Sequence, residues 1–368
     1  MTEHAINTLL PVALDAMGGE RSPGVIVEGA VMACRKGEGP VVLVGDSGLI
    51  EAELGLHDTA GLDISVVHAD EMIAMGENPL RAARSKRGSS MHRCFELIGQ
   101  SRASAVVSAG NSGAFLGVGL LTARRMEHCD RPCFVTTLPT SPKPTILLDI
   151  GANIDSRATH LLQFALMGSA YAAIKHGIER PTVALLSNGT EPIKGTESLR
   201  EAHRLLTQTD VNYIGFVEGR DVPTGCADVI VTDGLVGNVV LKLCEGLVTT
   251  VFDRIHQAAR THFLGSLVSS IFKKSLKNIH DELDWQKVGA APILGLNAVA
   301  LVGHGKTSPL AIANAISQAR VFVNDGLLDA MRRTLADSSV SDLTNTSELP
   351  IGQSGEAQRE QTESGEAE

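Results

Sequence analysis

The 368-residue sequence predicts an α/β protein with a three-layer α/β/α architecture built on a largely parallel sheet. Apolar runs rich in Val, Ile and Leu alternate with segments of helical periodicity. Most of these runs lack a polar alternate face, as expected for strands that are buried on both sides. Glycine is frequent, at 37 residues, and aromatic residues are only 3%, which suits many tight connections between strands and helices.

The predicted strands are short apolar runs bounded by Gly, Asp, Asn or Ser. They cover residues 10–14, 41–45, 63–67, 104–108, 145–149, 182–186, 211–217, 228–232 and 297–302. Helical periodicity follows Pro23, runs through 79–98, follows Gly113 and spans about 157–175. Because strands alternate with helices, we expect mostly parallel neighbours with helices on both faces.

The net charge of −10 is unevenly distributed along the chain. From Ser338 onward seven carboxylates oppose Arg359 alone, so this tail carries −6 and the preceding chain −4. We therefore expect a folded domain over residues 1–337, with a division into two lobes left open, and a disordered acidic tail over 338–368. The acidic balance and the scarcity of aromatic residues argue against nucleic-acid binding.

The cysteines and the amino-terminal segment indicate a cytoplasmic protein. None of the six cysteines forms a C-x-x-C pair, and no histidine cluster has zinc spacing, so we expect reduced thiols and no metal site. The first residues lack the basic and apolar segments of a signal peptide. No apolar stretch is expected to approach the ~18–20 residues of a membrane span.

Six predicted turns combine glycine with small polar side chains where a strand ends. In a parallel sheet such turns share one edge, where glycine brings backbone N–H groups close to a ligand and helix amino termini favour anions. The pattern predicts an anion site, most simply for phosphate. Its candidate residues are Asp15, Gly18, Gly19, Asn111, Ser112, Gly113, Asn153, Ser187, Asn188, Gly189, Thr190, Asp233 and Gly305.

Common nucleotide and nucleophile motifs are incomplete in this sequence. The GKT at 305–307 lacks the first glycine of a P-loop, since residue 300 is Ala, and GHGKTS lacks the third glycine of G-x-G-x-x-G. GNSGA lacks the last glycine of G-x-S-x-G, since residue 114 is Ala. No cofactor is expected.

Two further stretches predict surfaces. NPLRAARSKRGSSMHR is either a solvated helix face or a surface that attracts an anionic partner, through Arg81, Arg84, Lys86 and Arg87. RTHFLGSLVSSIFKKSLKNIH has the pattern of a membrane-surface helix, with a core or dimer helix as the alternative. Its apolar stripe and cationic flank consist of Phe263, Leu264, Leu267, Val268, Ile271 and Phe272, then Lys273, Lys274 and Lys277.

Taken together, these stretches resemble the bacterial phosphate acyltransferase family. The matching segments are LDAMGGE, ADEMIAMGENPLRAARSKRGSSM, VSAGNSGAFL, LDIGAN, LLSNGTEPIKGTE, VTDGLVGNVVLK and the GHG at 303–305, between about residues 10 and 335. The resemblance implies a homodimeric relative of phosphotransacetylases and isocitrate dehydrogenase-type enzymes. It also implies transfer of a long-chain acyl group from acyl carrier protein to inorganic phosphate, for phospholipid synthesis by a membrane glycerol-3-phosphate acyltransferase that uses acyl phosphate.

The resemblance also assigns roles. The family's lysine and asparagine fall on Lys194 and Asn238, which are expected to neutralise phosphate and the developing oxyanion, and to donate to the thioester carbonyl. His304 either transfers a proton to the leaving thiolate or is structural. The basic residues would receive the acidic carrier protein, and a helical region at about 255–285 would project and contact the membrane peripherally. Glu20 and Gly88 depart from the family pattern.

Three alternatives remain open at this point. One is a phosphotransacetylase that acts on an acyl-CoA, the second a nicotinamide-dependent decarboxylating dehydrogenase of related fold. The third is a non-catalytic scaffold at the membrane surface.

Overall fold

The computed structural model describes residues 9–261 and 289–336. Within these ranges an 11-stranded sheet lies between helical layers, which confirms the predicted α/β fold class. The strands are β1 Val12–Asp15, β2 Val41–Gly45, β3 Ile64–His68, β4 Ala105–Ser108, β5 Cys133–Leu138, β6 Thr145–Leu148, β7 Val183–Ser187, β8 Tyr213–Glu218, β9 Val229–Val231, β10 Ala291–Leu294 and β11 Val299–Val302.

Ten α-helices connect these strands in the described ranges. They are α1 Gly24–Arg35, α2 Ser47–Leu54, α3 Pro79–Ser85, α4 Ser90–Gly99, α5 Ser112–Thr122, α6 Ala158–His176, α7 Glu197–Leu206, α8 Gly234–Thr261, α9 Pro309–Asn324 and α10 Leu327–Leu335. The single helix predicted over 79–98 is wrong, because it is divided into α3 and α4. Between them Ser89 forms a β-bridge with Glu71, and the Gly88 N–H donates to the Glu71 carboxylate at 3.0 Å.

The sheet consists of two parallel halves that run in opposite directions. The strand order is β3-β2-β1-β4-β11-β10-β5-β6-β9-β7-β8. Pairing is parallel on either side of the centre, whereas β10 pairs antiparallel with both β11 and β5, and β5 pairs antiparallel with β6. The expectation that all six glycine-rich turns share one edge is therefore wrong, because the two bridging strands β5 and β10 reverse the direction.

A stagger between the halves nevertheless brings the two sets of carboxyl ends close together. At the centre of the sheet, Val302 at the end of β11 is level with Ala291, and Ile293 pairs with Phe134. The next residue, Val135, pairs with Leu148 at the end of β6. Strand ends from both halves therefore meet near the bridging strands.

Side chains from both faces of the sheet are buried, which explains the continuous apolar runs in the sequence. Alternate β1 residues divide between the two layers: Val12 and Leu14 belong to the core cluster that includes side chains of α1, α6, α9 and α10, and Ala13 to the cluster that includes those of α3, α4 and α5. On that second face, α8 packs Val240 and Leu241 against Leu147 and its neighbours.

Within the described residues, one helical segment, Gly234–Ile255, is long and apolar enough to cross a membrane by length and composition alone. The expectation that no stretch approaches this length is wrong, since the apolar residues outweigh the four charged residues Lys242, Glu245, Asp253 and Arg254. The predicted projecting region continues from this helix, and most of it, like the acidic tail, lies outside the described residues.

Candidate active site

The turns after β1, β4 and β11 pack directly against one another. The Gly303 N–H donates to the Ser108 carbonyl at 2.7 Å, and the Glu20 N–H donates to the Gly305 carbonyl at 2.9 Å. A Cβ on Gly18 would lie 2.8 Å from the Gly110 nitrogen, closer than real Cβ contacts allow. Glycine at this position therefore permits the close approach of two strand ends.

Asp15 stabilises this cluster from inside. Its carboxylate is buried and accepts hydrogen bonds from the Ser108 hydroxyl at 2.6 Å and the Met17 N–H at 3.2 Å. Burial raises the pKa of Asp15, and these hydrogen bonds partly oppose that rise. The side chain holds the turns together from within the protein.

Asn111 caps α5 and fixes the preceding loop. Its side-chain oxygen accepts from the Ala114 N–H, and its amide donates to the carbonyls of Met75 and Glu77 at 3.1 and 3.0 Å. The first N–H groups of a helix have no intrahelical acceptor. With Ala114 satisfied by the cap, the N–H groups of Ser112 and Gly113 have no acceptor among the described residues, so this helix start is the candidate anion site.

The turn after β6 is organised around a second buried carboxylate, Asp149. It accepts from the N–H groups of Phe134, Gly151, Ala152 and Asn153 and from the Asn153 amide, at 2.7–3.2 Å. Burial raises the pKa of Asp149, while these donors oppose the rise. The Asn153 amide also donates to the Pro132 carbonyl at 2.8 Å.

The first turn of α8 is seated on this network. The Gly234 N–H donates to the Asn153 carbonyl at 2.7 Å, and the Asp233 carboxylate caps the helix by accepting from the Val236 N–H at 2.9 Å. A Cβ on Gly237 would overlap the Asp149 carbonyl oxygen. Asp233, like Asn153, is therefore engaged by the protein itself.

Asn238 follows on the next position of α8 and is different. Its side chain is exposed, and no hydrogen-bond partner for its amide occurs among the described residues. A Cβ on Gly151 would lie 3.9 Å from the Asn238 Cβ, which places the amide beside the turn after β6. It faces a cavity of about 750 Å³ that Ser112, Gly151 and His304 also line.

His304 approaches this cavity from the turn after β11. Its Nδ1 accepts from the Lys306 N–H at 3.2 Å, which leaves the proton of the neutral ring on Nε2. Desolvation lowers the pKa of His304, and Lys242 lowers it further, while Glu245 opposes the change. The imidazole is therefore neutral near physiological pH.

Lys194 lies on the exposed loop after β7, and its side chain is exposed. It is not among the residues that line the cavity. The same loop carries Ser187, Asn188, Gly189 and Thr190, and the Asn188 side-chain oxygen accepts from the Gly195 N–H at 3.0 Å. Because β7 is hydrogen-bonded to β9, this loop neighbours the turn from which α8 begins.

The predicted docking residues are only partly described. Arg81, Arg84 and Arg87 are exposed, whereas the Lys86 ammonium is engaged by the Glu77 carboxylate at 2.7 Å. Pro79, at the start of α3, lies beside Gly113 of the anion site. The predicted membrane stripe over 263–272 and the lysines at 273, 274 and 277 lie outside the described residues.

The sequence reasoning missed the cavity wall formed by β5 and β10. Thr136, Leu138 and Ala291 are among its lining residues. The alternation in CFVTTL was a usable signal for a strand, but Pro292 and the glycines on either side of APIL obscured its partner.

The chain is similar to known proteins along most of its length. The family model described as "Fatty acid synthesis protein" matches residues 10–329. A protein named phosphate acyltransferase from Syntrophotalea carbinolica is 44% identical over 326 residues, which are 89% of this chain and 94% of that protein. Another of that name, from Citrifermentans bemidjiense, is 42% identical over 94% of this chain and 98% of its own length.

Solved structures share the fold at low sequence identity. A phosphotransacetylase from Streptococcus pyogenes superposes with a TM-score of 0.57 at 16% identity, covering 86% of this chain and 95% of its own. The EutD phosphotransacetylase from Staphylococcus aureus gives 0.54 at 15% identity, covering 85% and 94%. With 44% identity to a curated relative across most of its length, the chain belongs to the bacterial phosphate acyltransferase family, and the protein is an acyltransferase.

Proposed function

We propose that the protein transfers a long-chain acyl group from acyl–acyl carrier protein to inorganic phosphate, reversibly, and that the acyl phosphate feeds phosphatidic acid synthesis. The observation that carries this proposal is the convergence of three donors on one cavity. The amino terminus of α5, the Asn238 amide and the His304 imidazole all border it. These groups suit an oxyanion and a carbonyl oxygen, which are the two centres that acyl transfer to phosphate brings together.

In the proposed reaction, phosphate binds at the N–H groups of Ser112 and Gly113. One phosphate oxygen attacks the thioester carbon, and Asn238 donates to the carbonyl oxygen as negative charge develops on it. The carbon–sulfur bond then breaks and the carrier leaves as a thiolate. No acyl-enzyme is needed, because holding the two reactants in place supplies up to ~7–11 kcal/mol of the barrier reduction.

Lys194 would add positive charge to this site from the neighbouring loop. Adjacent strands are about 5 Å apart, and the lysine stem is long and flexible, so we expect its ammonium to extend toward the mouth of the cavity when phosphate binds. The neutral His304, protonated on Nε2, would donate a hydrogen bond to the departing sulfur. We assign the remaining polar residues, Asp15, Asn111, Asn153 and Asp233, to holding the turns in place.

We propose that the carrier protein docks on α3. Arg81 and Arg84 are exposed there with Arg87 just beyond the helix, and Pro79 of the same helix touches the anion site. Replacing the three arginines by glutamine should raise the apparent KM for the acidic carrier and weaken its dependence on salt. An unchanged KM would contradict this docking surface.

A second proposal concerns assembly and the membrane. On α8, Leu235, Val239, Leu243, Leu247 and Val251 are each more than half exposed and recur every four residues. We propose that this ridge packs in a homodimer and that the adjoining helical region contacts the membrane surface. Sedimentation of Leu243→Glu should show dissociation, and flotation with anionic vesicles tests the membrane contact. An unchanged mass or absence of flotation would contradict the respective part.

The decisive test incubates the purified protein with inorganic phosphate and an acyl thioester on either acyl carrier protein or coenzyme A. Acyl phosphate and free thiol are then measured together. Preference for the carrier protein supports the proposal, and preference for coenzyme A supports the alternative, a phosphotransacetylase. Lys194→Ala and Asn238→Ala should each lower turnover about a hundredfold or more, the usual cost of losing one oxyanion donor. Near-normal turnover in a folded variant would remove that residue from the mechanism.

A further inference from the structure

The cavity extends well beyond the groups that would bind phosphate and the thioester. Along α8 its lining includes Asn238, Leu241, Glu245, Val248 and Phe252. These residues are three or four positions apart, so they lie on a single face of the helix. From Asn238 to Phe252 the helix advances about 21 Å, at 1.5 Å per residue.

The opposite wall has a matching length. Consecutive residues 134–140 of β5 and its extension line the cavity. This wall also starts at the site, because the Phe134 N–H donates to the Asp149 carboxylate at 3.0 Å. Six steps along a strand cover about 20 Å. We take these two lining segments, which begin together and have similar lengths, as the walls of one elongated groove.

The groove suits hydrocarbon along most of α8, where the Glu245 carboxylate is paired with the Lys242 ammonium at 2.9 Å, and it has a second polar corner elsewhere. Leu138, Ile150, Leu241, Val248 and Phe252 present apolar side chains to it. The hydrocarbon core of a bilayer, two acyl chains deep, is about 30 Å thick, so one long chain spans roughly 15 Å. The groove between α8 and β5 is long enough for such a chain.

The polar corner lies on the other side of the bridging strands, at Tyr171, Lys175 and Gln318. The Lys175 ammonium is 5.7 Å from the centre of the Tyr171 ring and 3.2 Å from the oxygen of the Gln318 side-chain amide. No carboxylate lies within ion-pair distance of Lys175 among the described residues. Burial lowers its pKa to about 8. Hydrocarbon at this corner would displace water from the ammonium, and the cost of that desolvation disfavours an acyl chain there.

We propose that the acyl chain of the substrate lies along the inner face of α8 against β5, and that Val248 is a specificity-determining residue for chain length. The inference rests on the proposed function. With the thioester carbonyl at Asn238, the methyl end of a long chain reaches Val248, ten residues and about 15 Å further along the helix. Octanoyl chains end before this position and palmitoyl chains reach it.

The test compares octanoyl and palmitoyl thioesters on each of four proteins: wild type, Val248→Trp, Leu241→Trp and Thr250→Trp. Each methylene that loses its burial costs about fourfold in affinity, so Val248→Trp, by displacing about three terminal methylenes, should lower kcat/KM for palmitoyl about fiftyfold and leave octanoyl nearly unchanged. Leu241→Trp, closer to Asn238, should impair both substrates. Thr250→Trp carries the same new side chain on the outer face of α8, on the side of the proposed dimer ridge and outside the cavity lining, so it should not change the ratio between substrates even if it alters assembly.

Two results would overturn the inference: an unchanged palmitoyl-to-octanoyl ratio in folded Val248→Trp, or a shift of that ratio by Lys175→Met instead. The octanoyl rate in each preparation reports that the protein is folded and competent. If wild type produces no acyl phosphate from either thioester, the proposed function fails. If wild type is active and the ratio does not respond, only the placement of the chain fails.

Discussion

The turn after β6 and the turn after β7 have similar compositions and opposite surroundings. Each combines glycine and asparagine at the end of a buried strand. In the first, Asp149 is buried and has five hydrogen-bond donors, one of them the Asn153 amide. In the second, Asn188 and Lys194 are exposed, and Lys194 has no side-chain partner among the described residues.

This difference separates residues that build the site from residues that are available to a ligand. A polar group whose hydrogen bonds are all made inside the protein has no remaining capacity for phosphate or a carbonyl. By that criterion Asp149 and Asn153 belong to the scaffold. Asn238, Lys194 and the amino terminus of α5 retain unused donors, and we expect substitutions to divide along the same line.

The largest effect on stability should come from Asp149→Ala. The substitution leaves five buried or half-buried donors without their acceptor, so we expect a loss of about 3 kcal/mol or more in the free energy of unfolding. Asn188→Ala, in the exposed turn, should cost less than about 1 kcal/mol. Urea titrations of both variants measure the difference. Equal losses would show that the two turns do not differ as described.

The next effect concerns two glycines on α8. Gly237→Ala places a methyl group on the Asp149 carbonyl, and overpacking of this kind typically costs about 1–3 kcal/mol. Gly246→Ala meets nothing within 4 Å, so helix propensity should stabilise it by up to about 1 kcal/mol. Opposite shifts of the melting temperature are expected. A loss of stability in both variants would mean that α8 is not seated on Asp149 as the structure shows.

Much of this fold could be predicted from local sequence, and its centre could not. Runs such as VVLVG at 41–45 are continuous and β-branched, and the structure confirms them as strands. β10 has only four residues and includes Pro292, which disfavours a strand, and its register depends on β5, more than 150 residues earlier. Since these two strands reverse the sheet direction, missing them produced the error about a shared edge.

The candidate site shows the same limit at the level of single residues. Asn111, Asn153 and Asn238 all follow glycine-rich strand ends and look alike in the sequence. The first donates to the carbonyls of Met75 and Glu77, far away in the chain, and the second to Pro132. Only tertiary structure reveals that these two amides are occupied and that the amide of Asn238 has no partner among the described residues.

The asparagines allow a smaller test of the comparison. Asn153→Ala removes two amide hydrogen bonds and should lower the free energy of unfolding by about 1–2 kcal/mol. Asn238→Ala, exposed and without a described partner, should change it by less than about 0.5 kcal/mol while reducing turnover. Urea denaturation measures the stability of each variant, and turnover of one acyl thioester by the same preparations measures its activity. A lower stability of Asn238→Ala than of Asn153→Ala would contradict the assignment of Asn153 to the scaffold.

The smallest expected effect extends the comparison to Asp15, which closes the turn after β1 as Asp149 closes the turn after β6. Burial raises the pKa of Asp15 above its ordinary value of 3.8, so the folded protein holds this proton more tightly than the unfolded chain does. The contribution to stability is therefore complete below pH 3.8 and is lost as pH rises through the folded pKa. Asp15→Asn has no such proton, so wild type should lose stability relative to the variant as pH rises from 3.8 through the folded pKa, and reach a constant difference above it. Urea midpoints at successive pH values measure this change, and parallel curves for the two proteins would show that the buried carboxyl titrates alike in both states.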